Sequence, residues 1–272
     1  MLASALVLLL VAQPGVGKRI DVSLRGASLT QVLDLLQDVS KKNLVLLEDP
    51  KAPRRDAFDL EVKGRPWDTV LFDVLKANGL SRQEQDNVIF IGSKEQLAAR
   101  KPYGGKGKRV SVELVNARPS DAIAALSAAS GERLTEVHGG RAVTRRLRNL
   151  PADFLASLIV ELSGASAGEP ADTPKLALAE GDPPCVAPNV KLADLELTVV
   201  ATGTATPTAI TRGPDGQTYQ VAWRGCLGDE AAKVKAVRPG EVVTSVGWRL
   251  RLGAAAVREE PADPAPENLN AP

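Results

Sequence analysis

The sequence predicts an α+β fold plus an all-β fold: two small β-α-β-β-α-β type sandwiches in tandem, followed by a small β-sandwich or barrel. Three observations predict it. Apolar residues alternate with period two, then recur at about 3.6, and this series runs twice in the same order. The second series repeats the first at a nearly constant offset. Beyond a stretch rich in Ala, Pro and Gly, only short strand patterns follow.

Composition sets the frame. The chain has 272 residues, 44% hydrophobic and 25% charged, an ordinary globular balance with length for two or three small domains. Only 3% are aromatic, so the cores are built from Leu, Val, Ile and Ala. With 34 Lys+Arg against 33 Asp+Glu the net charge is +1, which gives no global pull toward nucleic acid or anionic lipid. One His and two Cys nearly exclude a multi-Cys or multi-His metal cage, and no metal or other cofactor is expected.

Residues 1–17 read as a signal peptide. Leu2 to Ala12 carry no charge, Pro14 and Gly15 break the run, and small residues nearby permit cleavage. No Lys or Arg precedes Lys18, which leaves a buried first strand as the alternative. No later stretch approaches about 18 consecutive apolar residues, so no transmembrane helix is expected in the mature chain.

The first domain covers 18–92. In "RIDVSLRG", Ile20, Val22 and Leu24 alternate with Asp21, Ser23 and Arg25, the mark of a half-buried strand. Leu29, Val32, Leu33, Leu36 and Val39 then line one helical face, opened by Ser28 and Gln31 at capping-box spacing. "NLVLLED" and "FDLEVKG" are strands. "RPWDTVLFDVLKANG" is a second helix, with Pro66 at its start and Asn78-Gly79 as its stop. "LSRQEQDNVIFIG" is a hairpin whose last strand closes the sandwich. Residues 93–108 read as a linker.

The second domain, 109–164, is a shorter and divergent copy. Subtracting 90 places Val110, Val112 and Leu114 on Ile20, Val22 and Leu24, and Leu126 on Leu36. Subtracting 85 places Leu147 on Val62, Pro151 on Pro66 and Gly164 on Gly79. Arg118 stands where the first copy has the capping Ser28, with Pro119 and Asp121 as partial compensation. No counterpart of "NVIFIG" follows Gly164, so this copy exposes an edge.

The segments "VSLRGASLTQVLDLLQDVSKKNLVL", "FDLEVKGRPWDTVLFDVLKANGL" and "NVIFI" resemble the short N-terminal domain shared by secretins and TonB-dependent receptors. The resemblance implies a periplasmic, non-catalytic module that contacts inner-membrane or signalling partners.

Residues 165–189 read as a flexible Pro/Ala/Gly linker and 253–272 as a disordered tail. Between them, 190–252 is strand after strand. Leu195, Leu197 and Val199 alternate with Glu196 and Thr198, "AITRGPDGQTYQVAW" is a hairpin turning at Pro214-Asp215-Gly216, and "AKVKAV", "EVVTSV" and "WRLRL" follow. This layout, with "GCLG" and "VKAVRPGEVV", resembles the β-domain of type IV pilus assembly lipoproteins (PilP). It is also similar to the homology region of the type II secretion inner-membrane clamp protein. Those resemblances imply binding to the N-terminal domain of a secretin.

The chemistry-bearing residues are few. His138 in "EVHGGR" is a solvent-facing turn residue, with no nucleophile–base set beside it. Neither "GPDG" nor "YGGKGK" matches a phosphate-binding signature. Arg141, Arg145, Arg146 and Arg148 are read either as a solvated strand face or as an electropositive docking surface. They lack interleaved aromatics, which argues against nucleic acid. Tyr219 and Trp223 flank Val221 and are read as core residues first, as contact residues second. Cys185 and Cys226, both near turns of one exported domain, suggest a disulfide, with two unpaired thiols as the alternative.

The expectation is therefore an exported, non-enzymatic periplasmic scaffold of a Gram-negative type IV pilus or type II secretion machine. Its expected partners are secretin N-terminal domains and inner-membrane pilus or secretion components, with no nucleic acid and no small-molecule substrate. The alternative is a signalling module of a TonB-dependent, anti-sigma pathway.

Overall fold

The structure is a computed structural model that describes residues 17–47, 58–168 and 185–258. The readings of a signal peptide, most of the second linker and most of the tail fall outside these residues. The chain divides into two compact units, residues 1–102 and 103–272.

The first unit runs β1 (Arg19–Ala27), α1 (Leu29–Ser40), β2 (Asn43–Leu46), β3 (Phe58–Pro66), α2 (Trp67–Ala77), β4 (Ser81–Gln85), β5 (Val88–Gly92) and α3 (Lys94–Ala99). Strands β1 and β3 form one antiparallel ribbon, and β2-β5-β4 form a second sheet in which β2 and β5 run parallel. One core joins both sheets and the first two helices: Ile20 and Val62 from the ribbon, Leu33, Leu36, Leu71 and Val74 from the helices, Leu44, Ile89 and Ile91 from the second sheet. The capping box at α1 is formed. Ser28 N–H donates to Gln31 Oε1 at 2.8 Å and Gln31 N–H to Ser28 Oγ at 3.3 Å.

The strand "VIFIG" is buried along its whole length because it is central, not terminal, and both its faces are covered. Ile89 and Ile91 join the main core. The Arg100 guanidinium lies over the Phe90 ring, 3.2 Å from its centroid, and the short helix α3 buries Leu97. Helix α3 falls inside residues 93–108, where the sequence predicts a linker. Its signal was present: Ser93 and Gln96 form a second capping box.

The second unit begins with β6 (Arg109–Ala117), α4 (Pro119–Ser130), β7 (Val137–His138), β8 (Val143–Pro151), α5 (Ala152–Ser163) and β9 (Ser166–Ala167). The repeat extends to backbone detail. Gly26 and Asn116 take the left-handed conformation at φ 58° and 48°, and Gly64 and Asn149 at 62° and 52°. Each pair sits at the expected offset, beside the same strand bulge. The Gly26 N–H donates to Asp59 and the Asn116 N–H to Thr144; the Gly64 N–H donates to Asp21 and the Asn149 N–H to Ser111. Part of the first linker belongs to this copy: the Tyr103 ring meets Phe154 edge-on at 5.0 Å. His138 lies in β7, paired with β9, and not in a turn.

The remaining strands are β10 (Glu196–Thr202), β11 (Thr208–Arg212), β12 (Thr218–Ala222), β13 (Cys226–Leu227), β14 (Ala232–Arg238), β15 (Glu241–Thr244), β16 (Trp248–Arg251) and β17 (Val257–Arg258). Cys226 is therefore in a short strand, and β17 carries ordered pairing past residue 252. From sequence, residues 190–252 are expected to form a sheet arrangement of their own. Instead β10 pairs antiparallel with β6, and one sheet runs β12-β11-β10-β6-β8. A second five-stranded sheet, β13-β14-β15-β16-β17, packs on part of it. Leu197, Val200, Ala209 and Val221 meet Leu227, Val234, Val242 and Leu250 in that core.

This shared sheet has a simple consequence. With a protease site inserted near residue 175, the two fragments of the cut chain should still co-elute on a native sizing column, because β6 and β10 remain paired. Separate elution would show that the sheet does not hold them.

Candidate interaction surface

The register of β10 on β6 sets Val199 opposite Leu114, Val200 opposite Glu113, Ala201 opposite Val112 and Thr202 opposite Ser111. Paired residues share a face, so Val199 and Ala201 lie with Leu114 and Val112 on the helix-covered side. Val200 and Glu113 lie on the other side. There Glu113 forms an ion pair with Arg146 at 2.9 Å, while Val200 enters the sandwich core. Every residue of β10 from Leu197 to Ala201 is buried. The join is reinforced at the start of α4. Thr218 Oγ1 donates to Asp121 Oδ1 at 3.2 Å, Arg118 donates to the Gly216 carbonyl, and Arg212 donates to the Asn116 carbonyl at 2.9 Å. Asp121, read from sequence only as a helix-start charge, thus has a second role between the two parts.

The four arginines do not form one patch. Arg141 closes the end of α5, its N–H reaching the Ser163 carbonyl at 2.9 Å and its Nε the Leu162 carbonyl at 3.2 Å. Arg146 is engaged by Glu113. Arg145 lies opposite Leu114, on the other face of the sheet from Arg146, and both Arg145 and Arg148 are half-buried.

The aromatic pair separates as well. Tyr219 packs at the margin of the sandwich core. Trp223 is 43% exposed, so the core reading does not hold for it. Its Nε1 donates to the Lys235 carbonyl at 3.1 Å, and the Arg224 guanidinium lies 4.1 Å from the ring centroid. The indole is thus held by one hydrogen bond and flanked by a cation.

Cys185 and Cys226 are joined by a disulfide. It sits at the start of a strap that lies along β13: the Val186 N–H donates to the Cys226 carbonyl at 2.9 Å and the Gly228 N–H to the Val186 carbonyl at 3.0 Å. Ala187, Leu192 and Leu195 of the strap are core residues.

Among the described residues no three His, Cys, Asp or Glu side chains converge as a metal site, and no helix is long and apolar enough to cross a membrane. Among the described residues the large exposed apolar side chains are scattered: Phe72, Trp223, Val246 and Val257.

No protein-family profile matches the chain. Over 102 residues, 38% of the chain, the sequence is 26% identical to the fimbrial assembly protein PilQ of Pseudomonas aeruginosa, and the match covers 14% of that protein. The chain is thus similar to a minor part of a pilus-assembly protein.

Proposed function

We propose that this chain is a non-enzymatic, periplasmic scaffold of a type IV pilus or type II secretion machine, which binds the N-terminal periplasmic domains of a secretin and an inner-membrane component. The observation that supports this reading most is the addition of β10 to the edge of β6. A strand from the region resembling the pilus lipoprotein β-domain docks on a copy of the fold resembling the secretin short domain. The two fold types are therefore complementary along strand edges, a recognition mode that uses backbone hydrogen bonds for affinity. The similarity to PilQ supports the pilus setting.

Trp223 and Arg224 are the contact residues this reading favours. Titration calorimetry of the whole chain with the periplasmic fragment of its own organism's secretin tests it. Binding is expected in roughly the micromolar range, as for small transient interfaces. Trp223→Ala should weaken it about tenfold or more, with the circular dichroism spectrum unchanged. No binding to the secretin would refute the reading.

A further inference from the structure

The two copies differ in how one edge is used. In the second copy, β10 covers Ser111 to Leu114 of β6. The equivalent window of the first copy is Asp21 to Leu24 of β1, at the offset of 90. Among the described residues β1 pairs with β3 alone, so that edge carries no strand. The apolar face records the difference. Val112 and Leu114 are 0% and 1% exposed, whereas Val22 and Leu24 remain only partly buried. Backbone shape and bulges match in the two copies, so among the described residues the first copy has the same edge without a covering strand. Unpaired edges of this kind are templates for strand addition.

We propose that β1 of a second copy of this chain fills that edge, in an antiparallel, two-fold pairing centred on Ser23. The argument for this occupant is the self-complementarity of β1. Paired residues share a face, so a two-fold pairing that keeps both apolar faces on one side must be centred on a residue. Centred on Ser23, Val22 lies opposite Leu24 of the other copy, and Asp21 lies opposite Arg25. Both apolar residues gain a neighbour of the kind that Val199 and Ala201 supply in the second unit. Both exposed charges meet their opposites, and on the β3 side Asp21 also accepts from the Gly64 N–H at 2.6 Å. Centring one residue earlier sets Arg19 against Arg25, and one residue later leaves Asp21 opposite Ala27. The charges therefore select a single register. The product is a continuous β3-β1-β1′-β3′ sheet. This inference is independent of the secretin reading.

The test uses the whole chain in sedimentation velocity and native mass spectrometry. The wild type should show a reversible dimer. Arg25→Glu sets like charges opposite each other, and so does Asp21→Lys; each should weaken the dimer about tenfold. Mixed together, the two variants should form a heterodimer. The lysine introduced in one chain then faces the glutamate introduced in the other, and the remaining Asp21 faces the remaining Arg25. As a second readout, Ser23→Cys on the two-fold axis should crosslink to itself under mild oxidation. A wild type that stays monomeric to roughly millimolar concentration would overturn the proposal. So would charge variants that associate like the wild type, a mixture that does not pair, or a Ser23→Cys chain that does not crosslink.

Discussion

A Cys226→Ser chain should melt about 8–16 °C below the wild type, and chemical reduction of the wild type should produce the same drop. The bond links residues separated by 41 positions, so its loss restores a large loop to the unfolded ensemble. In the chain-entropy account a loop of that size is equivalent to roughly 4 kcal/mol. A unit of this length shifts by about 2–4 °C for each kcal/mol. What the bond fixes is structural as well as statistical. The strap from Cys185 to Leu195 contributes Ala187, Leu192 and Leu195 to the sandwich core, and its hydrogen bonds to β13 are few. Without the bond, those apolar groups are held by packing and by a few hydrogen bonds of the strap. Differential scanning calorimetry with and without reductant makes the measurement. A shift below about 2 °C would mean that the strap is anchored by its core residues and that the bond adds little.

Val199→Asp should destabilise the second unit by at least about 3 kcal/mol, because it places a carboxylate in an apolar site without a partner. Val199 is fully buried opposite Leu114, on the face that α4 and α5 cover. The effect should be shared. Because β10 lies between β11 and β6, the α+β copy and the β-sandwich should lose stability together in one denaturant transition. In a Trp67→Phe background, fluorescence of Trp223 and Trp248 reports the sandwich, and far-ultraviolet circular dichroism follows the helices, α4 and α5 among them. Coincident midpoints, both shifted down, are the expected result. A shift confined to the tryptophan signal would show that β10 does not support β6.

Much of this fold was legible in the sequence, for local reasons. The repeat was readable because its turns and stops need particular residues: Gly79 and Gly164 both end a helix in the left-handed conformation. Helix faces and hairpins followed from periodicity, and Pro214-Asp215-Gly216 marked the β11–β12 turn. What escaped was long-range. The partner of β6 lies more than 80 residues away in sequence, and no local pattern specifies which strand fills an edge. A hint was present in the unbroken run Thr198-Val199-Val200-Ala201, since a strand buried on both faces loses its alternation. The bulge at Thr198 disguised it by letting Leu195, Leu197 and Val199 read as period two. The same double burial hid the central place of β5. The arginines divide between surfaces for a different reason. Neighbours in sequence on a strand point to opposite faces, so Arg145 and Arg146 never share a surface. Trp223 lies just beyond the end of β12, where strand alternation no longer determines burial.

β10 completes the edge of the second copy, whereas among the described residues no strand covers that of the first, the edge proposed to take a second chain. Native-state hydrogen exchange read by mass spectrometry, on dilute full-length chain, tests it most directly. Peptides covering Arg109–Ala117 should exchange only on unfolding of the whole unit, since both sides of β6 are paired. In peptides covering Arg19–Ala27, the amides that do not face β3 should exchange early, and their protection should rise with protein concentration as copies pair. Equal and concentration-independent protection of the two strands would contradict the account.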